Sequence, residues 1–340
     1  MLNRMLSVAA VAAAGLLAGP ALAQPEPLEG DPAEINFGII STESSQNLRT
    51  QWEPMLQDMS EALGMPVNAF YASDYAGVIE AMRFGQVTVA WFGNASAIQA
   101  VDRAGGEVFA RSVKLDGTQG YYSHILVHVD SDIQTLDDLF AHCGDGTIDF
   151  GMGDPNSTSG FLVPSYYVFA QNGIDPQACF NAVRNANHET NLMAVANGQV
   201  TAATNNSEQV ARSQANAPEA AAQVRAIWTS PLIPSDPLVF RADLSDDLKD
   251  RIRAFFLGYG RLGDNAEEAR DILAAISDGQ LPYTHASNAQ LYPIRQLRLF
   301  RDRLGIQADD TLSDEEKEAR VAEIDAQLAL LDVLIANVHH

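Results

Sequence analysis

The residues best suited to chemistry lie in one segment, residues 151–160, which reads GMGDPNSTSG. It contains three consecutive hydroxyl side chains, Ser157, Thr158 and Ser159, between a predicted strand and a predicted helix. The first turn of a helix carries unpaired N–H groups and the positive end of the helix dipole, and hydroxyls add further donors. We therefore predict a site for a phosphate-like tetrahedral oxyanion here. The alternative is an ordinary helix N-cap, for which one hydroxyl suffices.

His188 is a second candidate, because it follows another predicted strand and opens another predicted helix of the same series. It either caps or packs against its own helix, or it reaches the anion, and the sequence leaves both open. It is not part of an HExxH zinc motif, since His188-Glu189 is followed by Thr190-Asn191-Leu192.

Common enzyme motifs are absent from the sequence. There is no GxxxxGKS or GxxxxGKT phosphate loop, no GxGxxG turn and no GxSxG nucleophile elbow. The two cysteines fit no metal-binding pattern. We therefore expect a protein that is not an enzyme and that requires no cofactor and no metal.

Short apolar strands alternate with helical stretches along most of the chain, which predicts an α/β fold. The predicted strands are 35–40, 67–71, 88–92, 123–129, 147–151, 182–184, 202–204, 226–228 and 238–240. The predicted helices between them are 47–63, 75–84, 95–104, 136–141, 161–171, 189–196 and 208–215. From residue 244 onward the pattern is helical, with segments 244–259, 266–276 and 287–304.

No flexible linker divides the chain, so we expect two domains joined by crossing strands near residues 120–122 and 235–237. The first domain is then discontinuous, residues 24–122 plus 237–312, and the second comprises residues 123–236. We expect each to contain a mixed, mainly parallel sheet flanked by helices.

Residues 313–340 predict one further helix, beginning at the N-cap residue Ser313. Its apolar positions, which recur at three- and four-residue spacing, are Val321, Ile324, Leu328, Leu331 and Ile335. This stripe packs either on its own domain or on a second subunit, so a homodimer is one of two interpretations.

Composition excludes some partners. The chain has 340 residues, 46% of them hydrophobic, and a formal net charge of −23. That much apolar material supports folded cores, and a net charge so negative disfavours nucleic acid as a partner.

The first 23 residues predict a cleaved signal peptide. They combine the basic Arg4, a short apolar run and an Ala21-Leu22-Ala23 cleavage site. We therefore expect export to the periplasm of a Gram-negative bacterium.

Cys143 and Cys179 each precede a predicted strand, and those strands look like neighbours in one sheet, so a disulfide is expected there. The alternative is two unpaired small hydrophobes.

Several motifs together resemble the periplasmic phosphonate-binding proteins of ABC importers, the PhnD family. They are INFGIISTES (35–44), DYAG (74–77), MRF (82–84), AWFGN (90–94), DPNSTSGFLVP (154–164), HETN (188–191), ATNN (203–206) and SPLIP (230–234). The resemblance runs from residue 35 to the C-terminal helix. It implies a two-lobed type II binding protein that closes about a hinge and delivers its ligand to an ABC permease.

The resemblance also implies site residues. The phosphonate is expected at Ser157, Thr158 and Ser159, with His188, Tyr75 and Tyr121 closing around it. In members that take 2-aminoethylphosphonate, the ammonium meets carboxylates that match Glu208 and Asp236 here.

The second predicted domain contains few cations to oppose an anion, only Arg184, Arg212 and Arg225. Neutral donors are therefore expected to hold the phosphonate, and an ammonium group on the ligand would satisfy the two acids. We expect a binding protein for 2-aminoethylphosphonate. The alternatives are a binder of methylphosphonate, phosphite or phosphate and, more remotely, a secreted phosphoryl-transfer enzyme.

Overall fold

The computed structural model describes residues 30–114, 117–276 and 280–338. The expected signal peptide and the last two residues of the expected C-terminal helix lie outside the described residues. The strands are β1 Ile35–Ile39, β2 Val67–Tyr71, β3 Val89–Trp91, β4 Gly106–Lys114, β5 Gly120–Tyr121, β6 Ser123–His128, β7 Asp149–Met152, β8 Ala182–Asn185, β9 Ala202–Asn206, β10 Val224–Thr229, β11 Ile233–Pro234, β12 Pro237–Arg241 and β13 Gln280–His285.

The α-helices are α1 Ser45–Leu63, α2 Tyr75–Arg83, α3 Asn94–Arg103, α4 Leu136–Phe140, α5 Pro176–Cys179, α6 His188–Ala196, α7 Ser207–Asn216, α8 Pro218–Ala221, α9 Asp246–Gly258, α10 Ala266–Ile276, α11 Tyr292–Ala308 and α12 Asp314–Val338. π-Helical stretches cover Thr158–Leu162 and Ser165–Phe169, and 3₁₀ turns cover Ala170–Asn172 and Asn288–Leu291. Within the described ranges, no helix is long and apolar enough to cross a membrane.

Two sheets organise these elements. The first has the order β13-β4-β12-β3-β1-β2, and the second has the order β10-β6-β9-β7-β8. We call each sheet with the helices packed on it a lobe. β5 and β11 pair with each other in a short antiparallel ladder, where the chain passes from the first lobe to the second and back.

Most strands of each sheet run in the same direction, as expected for mainly parallel sheets. However, each sheet also contains antiparallel pairs of neighbouring strands, which the expectation did not locate. β1 to β4 run in one direction in the first sheet, and β7 to β10 do so in the second. β12 lies antiparallel between β3 and β4, and β6 lies antiparallel between β9 and β10. β6 and β12 are the first strands of their sheets after each crossing, so they enter from the opposite end.

Two strands of the first sheet were not predicted. β4 carries Glu107, Arg111 and Lys114, which interrupt its apolar pattern. β13 contradicts the expectation that the chain is only helical after residue 244, and it contains Pro282. Proline is tolerated on edge strands such as β13, where its missing N–H removes no ladder bond, and this weakens the sequence signal.

The first sheet is covered by helices on both faces. On one face, Trp52 of α1 and Phe256 of α9 pack on Phe37 of β1, with ring centroids 5.4 and 6.0 Å apart. On the other face, Val78 of α2 and Ile98 of α3 are fully buried. A sheet covered in this way holds the ends of its strands rigidly, so residues at those ends are well placed to form a site.

The second lobe contains a disulfide between Cys143 and Cys179. β7 and β8, the strands that follow these two cysteines, are parallel neighbours. The crosslink therefore ties together the segments that lead into the two strands.

The C-terminal helix α12 packs on α11 of its own chain. Ile324, Leu328 and Leu331 are buried and form a cluster with Leu299 of α11. This packing agrees with the first of the two interpretations of the apolar stripe.

Candidate functional site

The run of three hydroxyls begins a helix, as its sequence predicts. β7 ends at Met152, and the helical stretch starts at Thr158. Ser157 is the N-cap, and its Oγ accepts a hydrogen bond from the Gly160 N–H at 3.0 Å. Ser157, Thr158 and Ser159 are each at most 3% exposed. The helix start is therefore enclosed, which strengthens any hydrogen bond it offers to a ligand.

Two glycines and a proline shape this helix start. A Cβ on Gly153 would lie 2.5 Å from the Cα of Gly160, so the two backbones approach as only glycine allows. Pro164 has no N–H to donate to the Gly160 carbonyl in an α-helical bond. That carbonyl instead accepts from the Gly153 N–H at 2.9 Å and from Thr204 Oγ1 at 2.7 Å. Pro164 lies between the two π-helical stretches, Thr158–Leu162 and Ser165–Phe169.

His188 faces the serine hydroxyls. Its Nε2 lies 3.3 Å from Ser157 Oγ and 3.5 Å from Ser159 Oγ. Burial, with a smaller contribution from Arg212, lowers the pKa of His188 to about 3, so the imidazole is neutral at neutral pH. Its Nδ1 has no hydrogen-bond partner among the described residues. The sequence left two roles open for this histidine. In the structure its imidazole faces the helix start that carries the serine hydroxyls.

The first lobe contributes groups from α2 and β1. Tyr75 is the first residue of α2, is buried and lines the cleft with Ser157. Burial and the charges of Asp236 and Asp154 raise the pKa of the Tyr75 phenol, which stays protonated and able to donate. Thr42, just beyond β1, has a buried Oγ1 with no hydrogen-bond partner in the described part of the chain.

Two acids also line the cleft. Asp236 is buried, and its Oδ1 accepts a hydrogen bond from the Tyr121 hydroxyl at 2.9 Å. Burial and, next, the charge of Glu208 raise the pKa of Asp236 well above its ordinary value. Glu208 lies in the first turn of α7, whose N-cap is Asn206. The structure thus brings Tyr121, Glu208 and Asp236 together from three distant parts of the chain.

Two cations whose charges act on the acids of the cleft were not expected. Arg212 lines the cleft, and its Nε lies 2.5 Å from Glu43 Oε1, with side chains 8% and 3% exposed. Lys114 Nζ lies 2.8 Å from Glu208 Oε1. The expectation that neutral donors hold the phosphonate stays a prediction, and the structure adds these two ion pairs beside them.

A sequence signal for Arg212 existed, because it follows Glu208 by four residues, which places both on one face of α7. Lys114 had no comparable signal, since its strand was not predicted.

These residues line one cleft between the two lobes. The lining residues are Ile40, Thr42, Tyr75, Trp91, Gly93, Tyr121, Ser157, Thr158, Ser159, His188, Asn206, Glu208, Arg212 and Asp236. All eight predicted ligand-binding residues are among them. In the described ranges no group of His, Cys, Asp and Glu side chains is arranged to hold a metal ion. A two-lobed α/β protein with a polar cleft of this kind has the architecture of a substrate-binding protein.

Comparison with known proteins identifies the family. Residues 37–291 match the family model of the periplasmic substrate-binding proteins of ABC transporters for phosphonate. The phosphonates-binding periplasmic protein of Escherichia coli K12 is 49% identical over 96% of this chain and 94% of its own length. The crystal structure of a binding-protein component of an ABC phosphonate transporter from Pseudomonas aeruginosa has a TM-score of 0.86 and 47% identity. It covers 91% of this chain and 100% of that one. The phosphate-import protein PhnD of Mycolicibacterium smegmatis is 27% identical over 67% of this chain and 72% of its own length.

The chain belongs to the family of periplasmic phosphonate-binding proteins of ABC transporters. Its fold is that of the type II periplasmic binding proteins. Members of this family are substrate-binding components of transporters and not enzymes.

Proposed function

We propose that the protein binds 2-aminoethylphosphonate, with the phosphonate at the helix start and the ammonium between the two acids. The observation that carries this proposal is the polarity of the cleft. Neutral donors at Ser157, Ser159 and His188 line it together with the acids Glu208 and Asp236.

The spacing of the helix start and the acid supports the same ligand. A Cβ on Gly93 would lie 3.2 Å from Thr158 Oγ1 and 3.8 Å from Asp236 Oδ1, so both oxygens lie close to the same point of the cleft lining. The helix start at Thr158 and the carboxyl group of Asp236 are therefore a few ångströms apart. This separation suits a ligand whose anionic and cationic groups are joined by two carbon atoms.

The charges of the cleft also favour a ligand with an ammonium group. Glu43 is paired with Arg212 and Glu208 with Lys114, whereas no lysine or arginine in the described ranges forms an ion pair with Asp236. A buried carboxylate without a cation is costly to ionise, and the raised pKa of Asp236 expresses this cost. An ammonium at Asp236 removes the cost.

We propose that binding closes the two lobes about the β5/β11 crossing, with domains of residues 24–122 plus 237–312 and 123–236. Contacts between the lobes support this. The Tyr75 N–H donates to Asp154 Oδ2 at 3.2 Å, and the Ala95 N–H donates to Thr158 Oγ1 at 2.8 Å. Because both lobes then contact the ligand, it stabilises the closed state over the open one.

Isothermal titration calorimetry with 2-aminoethylphosphonate, methylphosphonate, phosphite and phosphate tests the proposal. We expect 2-aminoethylphosphonate to bind most tightly, by at least about tenfold. Asp236→Asn should weaken 2-aminoethylphosphonate far more than methylphosphonate, because only the former has an ammonium group for the acid. Equal affinity of the unmodified protein for methylphosphonate would exclude the ammonium site.

One observation favours a second candidate, a receptor for methylphosphonate, phosphite or phosphate. The Lys114–Glu208 ion pair neutralises one of the two acids without help from a ligand. The same titration distinguishes the candidates, because this one requires a ligand without an amine to bind at least as tightly as 2-aminoethylphosphonate.

The family implies export and a membrane partner. We propose that residues 1–23 are a signal peptide removed on passage to the periplasm, which N-terminal sequencing of the exported protein tests. We propose that the ABC permease of the same transporter accepts the closed, loaded form.

A homodimer through α12 is also proposed, on the exposed apolar side chains of Leu330 and Val333. Light scattering on a size-exclusion column tests it, and a monomer at micromolar concentration would exclude it.

A further inference from the structure

Lys114 is a cation of the first lobe placed beside the acids of the cleft. It is the last residue of β4, and its backbone is held by two bonds. Its N–H donates to the Thr118 carbonyl at 3.0 Å, and its own carbonyl accepts from the Gly117 N–H at 2.9 Å. Its Nζ lies 2.8 Å from Glu208 Oε1, with side chains 22% and 12% exposed. The pair therefore joins the two lobes next to the ligand site.

The position of this ammonium group is the important point. Glu208 is one of the two acids assigned to the ammonium of the ligand, and the Lys114 charge also acts on the other, Asp236. Lys114 therefore supplies the chemical group that 2-aminoethylphosphonate carries, at the place where the ligand would bring it.

We propose that Lys114 is a specificity-determining residue, a built-in ammonium that competes with the amine of the ligand for Glu208. This inference rests on the proposed function of the cleft. When a phosphonate without an amine binds, Lys114 stays on Glu208 and the closed cleft holds a paired acid. When 2-aminoethylphosphonate binds, its ammonium displaces Lys114 or shares Glu208 with it. Lys114 therefore reduces the difference in affinity between aminophosphonates and phosphonates without an amine. The range of ligands that bind is broader as a result.

Lys114→Met tests the inference by calorimetry with 2-aminoethylphosphonate and methylphosphonate. Removing the lysine leaves Glu208 without this cation when methylphosphonate is enclosed, so methylphosphonate affinity should fall. The affinity for 2-aminoethylphosphonate should stay constant or rise, because its ammonium meets no competitor. We expect the ratio of the two affinities to rise by roughly tenfold, the order expected for a partly buried ion pair that loses one partner.

Two variants serve as controls. Lys114→Arg keeps the charge and should keep the ratio close to that of the unmodified protein. Lys249→Met removes another lysine of the first lobe that pairs with a glutamate, Glu107 at 3.2 Å, away from the cleft. It should leave the ratio unchanged, and melting temperatures would show that each variant is folded. Lys114→Gln provides a second neutral variant.

The outcomes separate the two claims. If the unmodified protein does not prefer 2-aminoethylphosphonate, the proposed function fails before any variant is compared. If it does prefer this ligand and Lys114→Met and Lys114→Gln change both affinities by the same factor, the role of Lys114 in specificity is wrong and the lysine only joins the lobes.

Discussion

At the residue scale, burial sets the protonation of His188 and Asp236 in opposite directions. It lowers the pKa of the histidine to about 3 and raises that of the aspartic acid, because the charged form of either group loses water without gaining a full partner. A neutral imidazole beside the serine hydroxyls adds no net charge there. Because the aspartic acid is costly to ionise, a ligand that carries a cation is expected to bind more tightly beside it.

Asp236→Asn should stabilise the ligand-free protein at pH 7 more than at pH 4. The folded-state pKa of Asp236 lies above its unfolded value near 3.8, so its contribution to stability is lost as pH rises through the folded pKa. The pKa of His188 is depressed, so protonation of this histidine lowers the stability as pH drops from about 6.5 towards 3. This loss is the same in the unmodified protein and in the variant. We expect the variant to melt at least about 2 °C higher at pH 7 and at nearly the same temperature at pH 4.

The matched control is Asp130→Asn, whose side chain is 89% exposed. Its melting temperature should follow that of the unmodified protein at both pH values. A stabilisation by Asp236→Asn that is equal at pH 4 and pH 7 would show that burial of the charge is not its cause.

At the element scale, the helix start at Ser157 depends on close backbone packing more than on hydroxyl content. Gly153 and Gly160 lie against each other, and the absent N–H of Pro164 frees the Gly160 carbonyl for bonds to the strand side. These contacts fix the first turn of the helix against β7 and β9. The N–H groups and hydroxyls of that turn are thereby held in place before a ligand arrives, which lowers the entropy cost of binding.

Gly153→Ala should disrupt this element. A Cβ there meets Gly160 Cα at 2.5 Å, and backbone cannot move aside as a flexible side chain can. We expect a loss of about 2 kcal/mol or more in the free energy of unfolding and a loss of phosphonate binding, measured by urea unfolding and calorimetry. Gly305→Ala in α11, where a Cβ meets nothing within 4 Å, is the control. It should stabilise the protein by about 0.5–1 kcal/mol, and similar effects of the two substitutions would contradict the packing argument.

At the scale of the whole molecule, the net charge of −23 repels an anionic ligand, though salt screens this beyond about 10 Å. On the proposed function, capture therefore depends on short-range donors and on closure of the two lobes. The lobes also meet outside the cleft lining, at Glu189. Glu189 of α6 accepts from the Ser44 N–H at 2.7 Å and from Asn47 Nδ2 at 2.8 Å, at the start of α1.

Glu189→Ala should weaken all phosphonates by a similar factor, about three- to tenfold, because it removes charge-assisted bonds from the closed state without touching the ligand. Calorimetry with 2-aminoethylphosphonate and methylphosphonate measures this. Glu219→Ala, which removes an exposed acid from the first turn of α8, is the control and should leave both affinities unchanged. A change in the ratio of the two affinities would mean that Glu189 acts on the ligand and not on closure.

The sequence by itself determined the local features of this protein. The spacing of apolar residues predicted the α/β alternation, and the hydroxyl run after a strand predicted the helix start. These features depend on neighbours within a few residues, so local propensity and hydrogen bonding specify them. The resemblance of motifs to a known family added Tyr121, Glu208 and Asp236, which nothing in their local sequence distinguishes from an ordinary strand, helix or turn residue.

Only the tertiary structure decided which charges meet in the cleft. Arg212 pairs with Glu43 and Lys114 with Glu208, across separations in sequence that no local pattern records. The antiparallel insertion of β6 and β12 and the edge position of β13 also depend on how the chain crosses between the lobes. Pairing energies and pKa values depend on burial and on distances of a few ångströms, and these exist only once the two lobes are folded and facing each other.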